Sequence, residues 1–368
     1  MLAFAIALTG RAASRGYKRM TKGFSLSSCW HHRLMAVAGV ILATGFVPSF
    51  SHAAPQEPRV SSTKASSAQT GQSRAIKKQV SSRRVSASSR KAFAASESGY
   101  DSLGSRLGLR SELTEIALNS SAVIVVNQAS GQVLLEKNPD IALPIASITK
   151  LMTAVVTMEA NLPLSDVIEI EKSDTQLEKY TGSRLRVGTS FTRAELLNLA
   201  LMSSENRAAH ALGRSYPGGM EAFVLAMNKK ADSLGMSNSH FVEPTGLSSS
   251  NVSTPRDLSR LVKEATRFPL IRQYSTAREA IVQVGGRYQQ FRNTNALARN
   301  GDWELGISKT GFIRDAGKCL VMQANIDNTD VIIVMLDAQG SQKRITDAER
   351  IRRWLSADKD RQALAVRS

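Results

Sequence analysis

The segments of this 368-residue chain that resemble β-strands lie at the two ends of its folded part, with helical segments between them. The stretch "SAVIVVNQASGQVLLEKNPD" contains two strand-like runs around a turn at residues 129–131. Five more runs come late in the chain: AIVQVGG, RYQQFRNT, LGISKTGFI, CLVMQANID and DVIIVMLDA. The simplest packing joins the first hairpin to the late antiparallel strands in one sheet. This predicts an α+β fold, with helices flanking the sheet and a second, mostly helical lobe.

The predicted helices are marked by recognisable start signals. An apolar helical run follows Ser147 in "PIASITKLMTAVVTMEA", and Thr192 with Glu195 has the spacing of a capping box. Pro255 fits the first position of a helix capped by Ser253 or Thr254. Three further helices are expected near Glu205, after Gly218–Gly219 and through "TDAERIRRWL".

The net charge of +17 is concentrated at the N-terminus. Residues 1–100 hold 15 Lys or Arg and two Asp or Glu, which leaves about +4 for the rest. A nearly balanced folded part without a helix-turn-helix, RNP-type or zinc pattern excludes a nucleic-acid-binding domain. The expected organisation is a signal peptide at 1–53, a disordered basic tether at 54–110, a catalytic domain at 111–358 and a C-terminal tail at 359–368, with ordered structure beginning near Leu113.

The N-terminus has the features of an export signal. Basic residues precede the apolar run Leu34 to Phe50, and "SHAAP" offers cleavage after Ala53, although an uncleaved membrane anchor stays an alternative. Removal of the signal leaves Cys319 as the single cysteine, so an internal disulfide is excluded, and its apolar run predicts a buried side chain. The chain is expected to be exported to the periplasm, either free or associated with the membrane. The tether is either a solvated spacer or a weak contact to anionic envelope components.

Ser147 and Lys150 lie one helical turn apart at the start of an apolar helix. A serine hydroxyl is a weak nucleophile that needs an adjacent base, and a lysine serves as base only when burial or a nearby cation makes it neutral. The same spacing occurs at Ser61…Lys64 and Ser88…Lys91, but neither pair opens an apolar helix. With His210 and His240 as the only histidines beyond residue 53, a histidine-based triad or metal site is disfavoured, and no cofactor is expected.

Two more short motifs follow in the chain. Ser204-Glu205-Asn206 lies at a predicted junction between helices, and Lys309-Thr310-Gly311 lies in a predicted strand. Each motif is weak alone, and Ser249-Ser250-Asn251 repeats the Ser-x-Asn pattern. The order Ser-x-x-Lys, Ser-x-Asn, Lys-Thr-Gly is typical of penicillin-binding proteins and class A β-lactamases.

Residues 110–355 therefore resemble the low-molecular-mass penicillin-binding proteins, the serine DD-peptidases. Stretches such as "LMSSENRAAHALG" and "HFVEPTGLSSSNVSTPRDL" are similar to the D-alanyl-D-alanine endopeptidase branch, the penicillin-binding protein 7 type. The resemblance implies a five-stranded antiparallel sheet with a helical lobe, and peptidoglycan and β-lactams as ligands. It implies roles for eight residues: Ser147 as nucleophile, Lys150 as base, Ser204 as proton relay, Asn206 as a contact to the substrate amide, Lys309 and Thr310 as carboxylate ligands, Gly311 for close approach, and the Ser147 and Phe312 N–H groups as the oxyanion hole.

Four functions fit the resemblance to different degrees. An endopeptidase that cuts cross-links is favoured over a D-alanyl-D-alanine carboxypeptidase, because the 57 residues after Gly311 leave no room for an extra C-terminal domain. A β-lactamase needs a deacylating carboxylate, and Glu171, Asp174 and Glu178 match no such pattern. An inactive peptidoglycan-binding module is disfavoured by the intact motifs.

Overall fold

The computed structural model describes residues 101–176 and 182–367, with side chains described up to residue 357. The predicted signal peptide and most of the predicted tether lie outside the described residues. The helices are α1 Leu103–Arg106, α2 Thr149–Glu159, α3 Arg193–Met202, α4 Asn206–Arg214, α5 Gly219–Ser233, α6 Pro255–Ala265, α7 Pro269–Thr276, α8 Ala296–Asn300 and α9 Ser341–Arg367. In the described part of the chain, no helix is both long and apolar enough for a membrane span.

One antiparallel sheet of five strands forms the centre of the fold. The strands are β1 Ser120–Asn127, β2 Val133–Lys137, β9 Glu304–Ile313, β10 Gly317–Ile326 and β11 Thr329–Ala338. Their order in the sheet is β2-β1-β11-β10-β9, so the first hairpin pairs with the last strand. This architecture confirms the predicted α+β class and the five-stranded sheet.

Shorter strands lie outside this sheet. They are β3 Leu143–Pro144 paired with β6 Val252–Ser253, β4 Val167–Glu169 paired with β5 Ser190–Thr192, and β7 Glu279–Val284 paired with β8 Arg287–Arg292. The prediction that all late strands join one sheet is therefore wrong for β7 and β8. Their side chains alternate, with Val282 and Phe291 buried and Ile281 and Tyr288 exposed, as expected for a two-stranded ribbon with one solvent-exposed face.

The central sheet is covered on both faces. Ala122 and Ile124 of β1 pack into the cluster that includes the central helices, whereas Val123 and Val125 pack against a second cluster with Ile351 of α9. Successive side chains on a strand point to opposite faces. The uninterrupted apolar run of β1 is thus the consequence of burial on two sides.

The helix starts agree with the sequence signals. Thr192 caps α3 in a capping box with Glu195, and Thr254 caps α6 ahead of Pro255. The α4 helix begins directly after Glu205. Helix α9 continues through residues 359–367, the segment expected as a tail.

Packed structure begins earlier than Leu113, so the prediction of a tether up to residue 110 is wrong for residues 101–110. Ser102 is buried, and the backbone N–H of Leu103 donates to the carbonyl of Asp315 at 3.0 Å. Arg110 forms an ion pair of 2.9 Å with the buried Asp337. These are contacts with residues more than 200 positions away, which local composition does not reveal.

Candidate active site

Ser147 lies in a single 3-10 turn, Ala146–Ile148, that leads directly into α2. We call this turn the nucleophile turn. Ala146 has a φ of +49°, a left-handed conformation that side-chain-bearing residues adopt at a free-energy cost. The turn places the Ser147 hydroxyl above the first turn of the helix, where the Lys150 Nζ atom lies 2.9 Å from Ser147 Oγ.

Lys150 is fully buried and contacts two further oxygen atoms. Its Nζ atom lies 2.7 Å from Asn206 Oδ1 and 2.6 Å from the backbone carbonyl of Thr245. A neutral amine has two N–H bonds and one lone pair. If the two N–H groups point at these carbonyl oxygens, the lone pair is left facing the Ser147 hydroxyl, which is the geometry that a general base requires.

Ser204 and Asn206 lie at the junction between α3 and α4. Ser204 has a φ of +62°, and its hydroxyl lies 2.9 Å from Lys309 Nζ. Between the two motif residues, the Glu205 carboxylate accepts hydrogen bonds from Ser183 Oγ at 2.6 Å and from Arg184 Nη2 at 3.1 Å. The junction is therefore held from the loop that precedes β5, while its polar side chains face the two lysines.

Strand β9 forms the other wall of the site. A Cβ atom on Gly311 would lie 2.9 Å from the Ile145 carbonyl oxygen and 3.2 Å from the Ser147 nitrogen, so the strand touches the nucleophile turn only because residue 311 is a glycine. The hydroxyl of Thr310 lies 2.5 Å from that of Thr294. Phe312, next along the strand, is half-exposed and stacks beneath Lys318 Nζ at 3.5 Å.

Two further basic side chains, Lys150 and Arg344, influence the charge state of the buried Lys309. Burial lowers the pKa of Lys309 well below its ordinary value, and the neighbouring Lys150 and Arg344 lower it further. Burial also lowers the pKa of Arg344, whose Nη1 donates to the Cys319 carbonyl at 2.8 Å. A substrate carboxylate beside Lys309 would compensate the charge that burial disfavours.

The structure thus brings all three motifs to one place, joined by Lys150 and Lys309. Comparison with known proteins identifies what kind of site this is. Residues 110–340, more than half of the chain, match the family model described as D-alanyl-D-alanine carboxypeptidase. The chain belongs to this family. It is a serine DD-peptidase with an α+β DD-peptidase fold.

Individual relatives agree with the family. The D-alanyl-D-alanine endopeptidase of Pseudomonas aeruginosa is 50% identical over 242 residues, 65% of this chain and 77% of its own length. The D-alanyl-D-alanine endopeptidase of Escherichia coli is 46% identical over 67% of this chain and 79% of its own length. Among solved structures, the Streptomyces K15 DD-transpeptidase matches with a TM-score of 0.62 and 27% identity over 67% of this chain and the whole of that chain.

Some residues that the sequence motifs singled out lie elsewhere in this DD-peptidase. Asn251 is fully buried and its side chain holds a loop together, accepting from Val242 N at 2.8 Å and donating to the Glu243 carbonyl at 2.9 Å. His210 pairs with Asp174 at 2.7 Å, on a later turn of α4 than Asn206. Ser61…Lys64 and Ser88…Lys91 lie outside the described residues. Cys319 is buried as predicted, and burial raises the pKa of its thiol to about 12.

Sequence motifs missed two contributors to the site. Thr245 takes part through its backbone carbonyl, which no side-chain pattern can report. Arg344 lies in the terminal helix, 35 positions after Lys309, and only the packing of α9 on the sheet brings its charge close. For Thr245, the sequence offers one signal: the stretch "HFVEPTGLSSSNVSTPRDL", which contains it, resembles the endopeptidase branch.

Proposed function

We propose that this protein is a D-alanyl-D-alanine endopeptidase that cleaves peptidoglycan cross-links through an acyl-enzyme on Ser147. The observation that carries the chemistry is the 2.9 Å contact between the fully buried Lys150 amine and the Ser147 hydroxyl. An amine held in this way accepts the hydroxyl proton while Oγ attacks the carbonyl carbon of the D-alanyl bond.

The remaining residues fit the rest of an acyl transfer. The bond from Ser147 Oγ to the D-alanyl carbonyl carbon forms, the C–N bond breaks, and Ser204 passes a proton to the departing amine. Lys309, with Thr310 beside it, binds the carboxylate on the far side of the cut bond. Backbone N–H groups of Ser147 and Phe312 stabilise the oxyanion, and water then releases the acyl group.

The preference for cross-links is supported by the relatives. Two proteins named endopeptidases share 46–50% of their residues with this chain. A protein named a carboxypeptidase, that of Bacillus subtilis, shares 29%. Carboxypeptidase activity on uncross-linked pentapeptides is the second candidate, because both substrates carry a carboxylate beyond the scissile bond.

Purified protein incubated with cross-linked muropeptide dimers and, separately, with pentapeptide monomers separates the two functions by mass spectrometry. We expect dimers to be converted to monomers at least tenfold faster than pentapeptides lose D-alanine. Faster loss of D-alanine would establish the carboxypeptidase instead. The matched control is Ser147→Ala, which keeps the fold and should cleave neither substrate. It should also lose covalent labelling by a fluorescent penicillin, and labelling at another serine would refute the assignment of Ser147.

The proposal includes export to the periplasm and cleavage of residues 1–53. It is supported by the basic and apolar segments of that region and by a substrate that lies outside the cytoplasm. Cell fractionation and the N-terminal mass of the mature protein test it. A cytoplasmic protein that retains residues 1–53 would contradict it.

A further inference from the structure

A loop outside the three motifs lies against the start of α2. We call residues 243–251 the Glu243 loop. Successive carbonyls of this loop accept from α2: Pro244 O from Thr153 Oγ1 at 2.7 Å and Thr245 O from Lys150 Nζ at 2.6 Å. At the other end, Asn251 Nδ2 donates to Thr149 Oγ1 at 3.1 Å. The loop therefore holds the helix on both sides of Lys150.

The same loop also contacts the nucleophile turn. Gly246 has a φ of +79°, and a Cβ atom there would lie 1.9 Å from the Ala146 carbonyl oxygen and 2.8 Å from the Ser147 nitrogen. The path of the loop at residues 244–246 thus determines the position of the Thr245 carbonyl relative to both Ser147 and Lys150.

A buried carboxylate determines that path. Glu243 is 7% exposed and turns its side chain into its own loop. Its Oε2 accepts from the N–H of Thr245 at 2.5 Å and from Thr245 Oγ1 at 2.6 Å. Its Oε1 accepts from Gly246 N at 2.6 Å, Ser248 N at 3.3 Å and Asn251 Nδ2 at 3.0 Å. A buried carboxylate with this many donors fixes the backbone, because loss of any bond leaves a polar group unpaired away from water.

We propose that Glu243 is a positioning residue for acylation: its carboxylate shapes the loop so that the Thr245 carbonyl holds one N–H of Lys150 and directs the lone pair of the amine at Ser147. This inference rests on the proposed function of Ser147 and Lys150 and adds to it a residue that touches neither substrate nor nucleophile. The two carbonyl oxygens at Lys150, from Thr245 and Asn206, come from separate elements. Losing one of them lets the amine rotate away from the hydroxyl.

The test is Glu243→Gln. Whichever way the new amide faces, its NH2 group meets N–H or O–H donors, so the loop must rearrange without a change in side-chain size. The acylation rate constant and the dissociation constant of the preceding non-covalent complex are measured with one slowly hydrolysed penicillin. Rates are expressed per active site, counted by mass spectrometry after complete labelling. We expect acylation to slow about 10²-fold with binding changed less than about threefold, the scale of a small misplacement of a reacting group.

Two matched variants complete the experiment. Ser250→Ala changes an exposed residue of the same loop and should acylate like wild type. Thr245→Val removes one donor to Glu243 but keeps the shape of the side chain, and should slow acylation severalfold. A merely structural role would lower the number of active sites and leave the rate per site unchanged, and this result overturns the proposal.

If Glu243→Gln yields no active sites that can be labelled, the acylation rate of Thr245→Val per labelled site decides. A slower rate supports the proposal, and an unchanged rate overturns it. Failure of the wild type to acylate at Ser147 would refute the proposed function itself, which is a separate outcome.

Discussion

At the scale of single residues, the site is built around two buried lysines that need opposite charge states. In the proposed mechanism, Lys150 must be neutral to accept a proton, whereas Lys309 must be charged to bind a carboxylate. Burial lowers the pKa of Lys309, and the neighbouring Lys150 lowers it further, so the unliganded site disfavours the charged form of Lys309. The carboxylate of an arriving substrate would favour the charged form of Lys309.

A first prediction concerns the stability of Lys309→Met. Because the folded pKa of Lys309 is lowered, the unfolded chain binds more protons between that pKa and the ordinary value, so wild-type stability rises with pH in this window. We expect the methionine variant to be the more stable one near neutral pH, with a wild-type deficit of about 1.4 kcal/mol for each pH unit below the ordinary pKa of lysine, down to the folded pKa. Its advantage should shrink as the pH approaches the ordinary pKa of lysine. Urea unfolding from pH 6 to 10 measures it, with the exposed Lys172→Met as control, and an advantage that grows with pH would contradict the prediction.

A second prediction uses the left-handed backbone of Ser204. Ser204→Gly and Ser204→Ala both remove the hydroxyl that contacts Lys309, so both should slow acylation to a similar degree, about 10²-fold. Glycine adopts a φ of +62° without the steric penalty that alanine meets. The free energy of unfolding of the glycine variant should therefore be about 1 kcal/mol higher than that of the alanine variant. Equal stabilities would show that residue 204 bears no backbone strain.

At the scale of elements, the site depends on how closely β9 approaches the nucleophile turn. The contact is between two backbones, strand against turn, with Gly311 at the point of closest approach. It places residue 311 beside the Ser147 nitrogen, one position before Phe312, whose N–H belongs to the proposed oxyanion hole.

A third prediction follows from this contact. Gly311→Ala adds a Cβ atom 2.9 Å from a backbone oxygen, so strand and turn must separate by a few tenths of an ångström or more. We expect penicillin acylation to fall about 10²-fold with little change in the thermal midpoint. The control is Gly182→Ala, where the new Cβ atom has no atom of the described residues within 4 Å and wild-type rates should persist. Wild-type acylation by Gly311→Ala would mean that the approach of the strand does not matter for the reaction.

At the scale of the whole molecule, the folded domain includes a segment that precedes its first strand. Residues 101–111 pack beside the end of β11, where Arg110 pairs with the buried Asp337. Gly104 lies so close that a Cβ atom would come within 2.4 Å of the Asp337 carboxylate. The folded unit therefore includes residues whose composition resembles the tether before them.

A fourth prediction compares two truncations. A chain that starts at residue 101 should acylate and unfold like the full chain, because the three motifs and the Arg110 pair are intact. A chain that starts at residue 113 loses both the cation that pairs with Asp337 and the segment that packs beside it, and should lose about 3 kcal/mol of stability. Urea unfolding of both chains measures the difference, and equal stability would show that residues 101–112 contribute nothing to the folded unit.

The sequence alone determined the elements and the chemistry of the motifs. The capping box at Thr192, the proline after Thr254 and the apolar run of β1 are local signals, since caps and periodicity act within a few residues. In the same way, Ser147 and Lys150 share a helical turn and need only local structure to meet.

The tertiary structure decided everything that depends on contacts between distant segments. The β7–β8 hairpin is separate from the central sheet, residues 101–110 pack against the fold, and the packing of α9 places Arg344 near Lys309. The Thr245 carbonyl became a partner of Lys150 although backbone atoms carry no sequence signature. Such contacts form only when non-local packing brings separate segments together. The interaction energy that stabilises them arises between residues far apart in the chain, so the neighbours of either residue in the sequence do not reveal it.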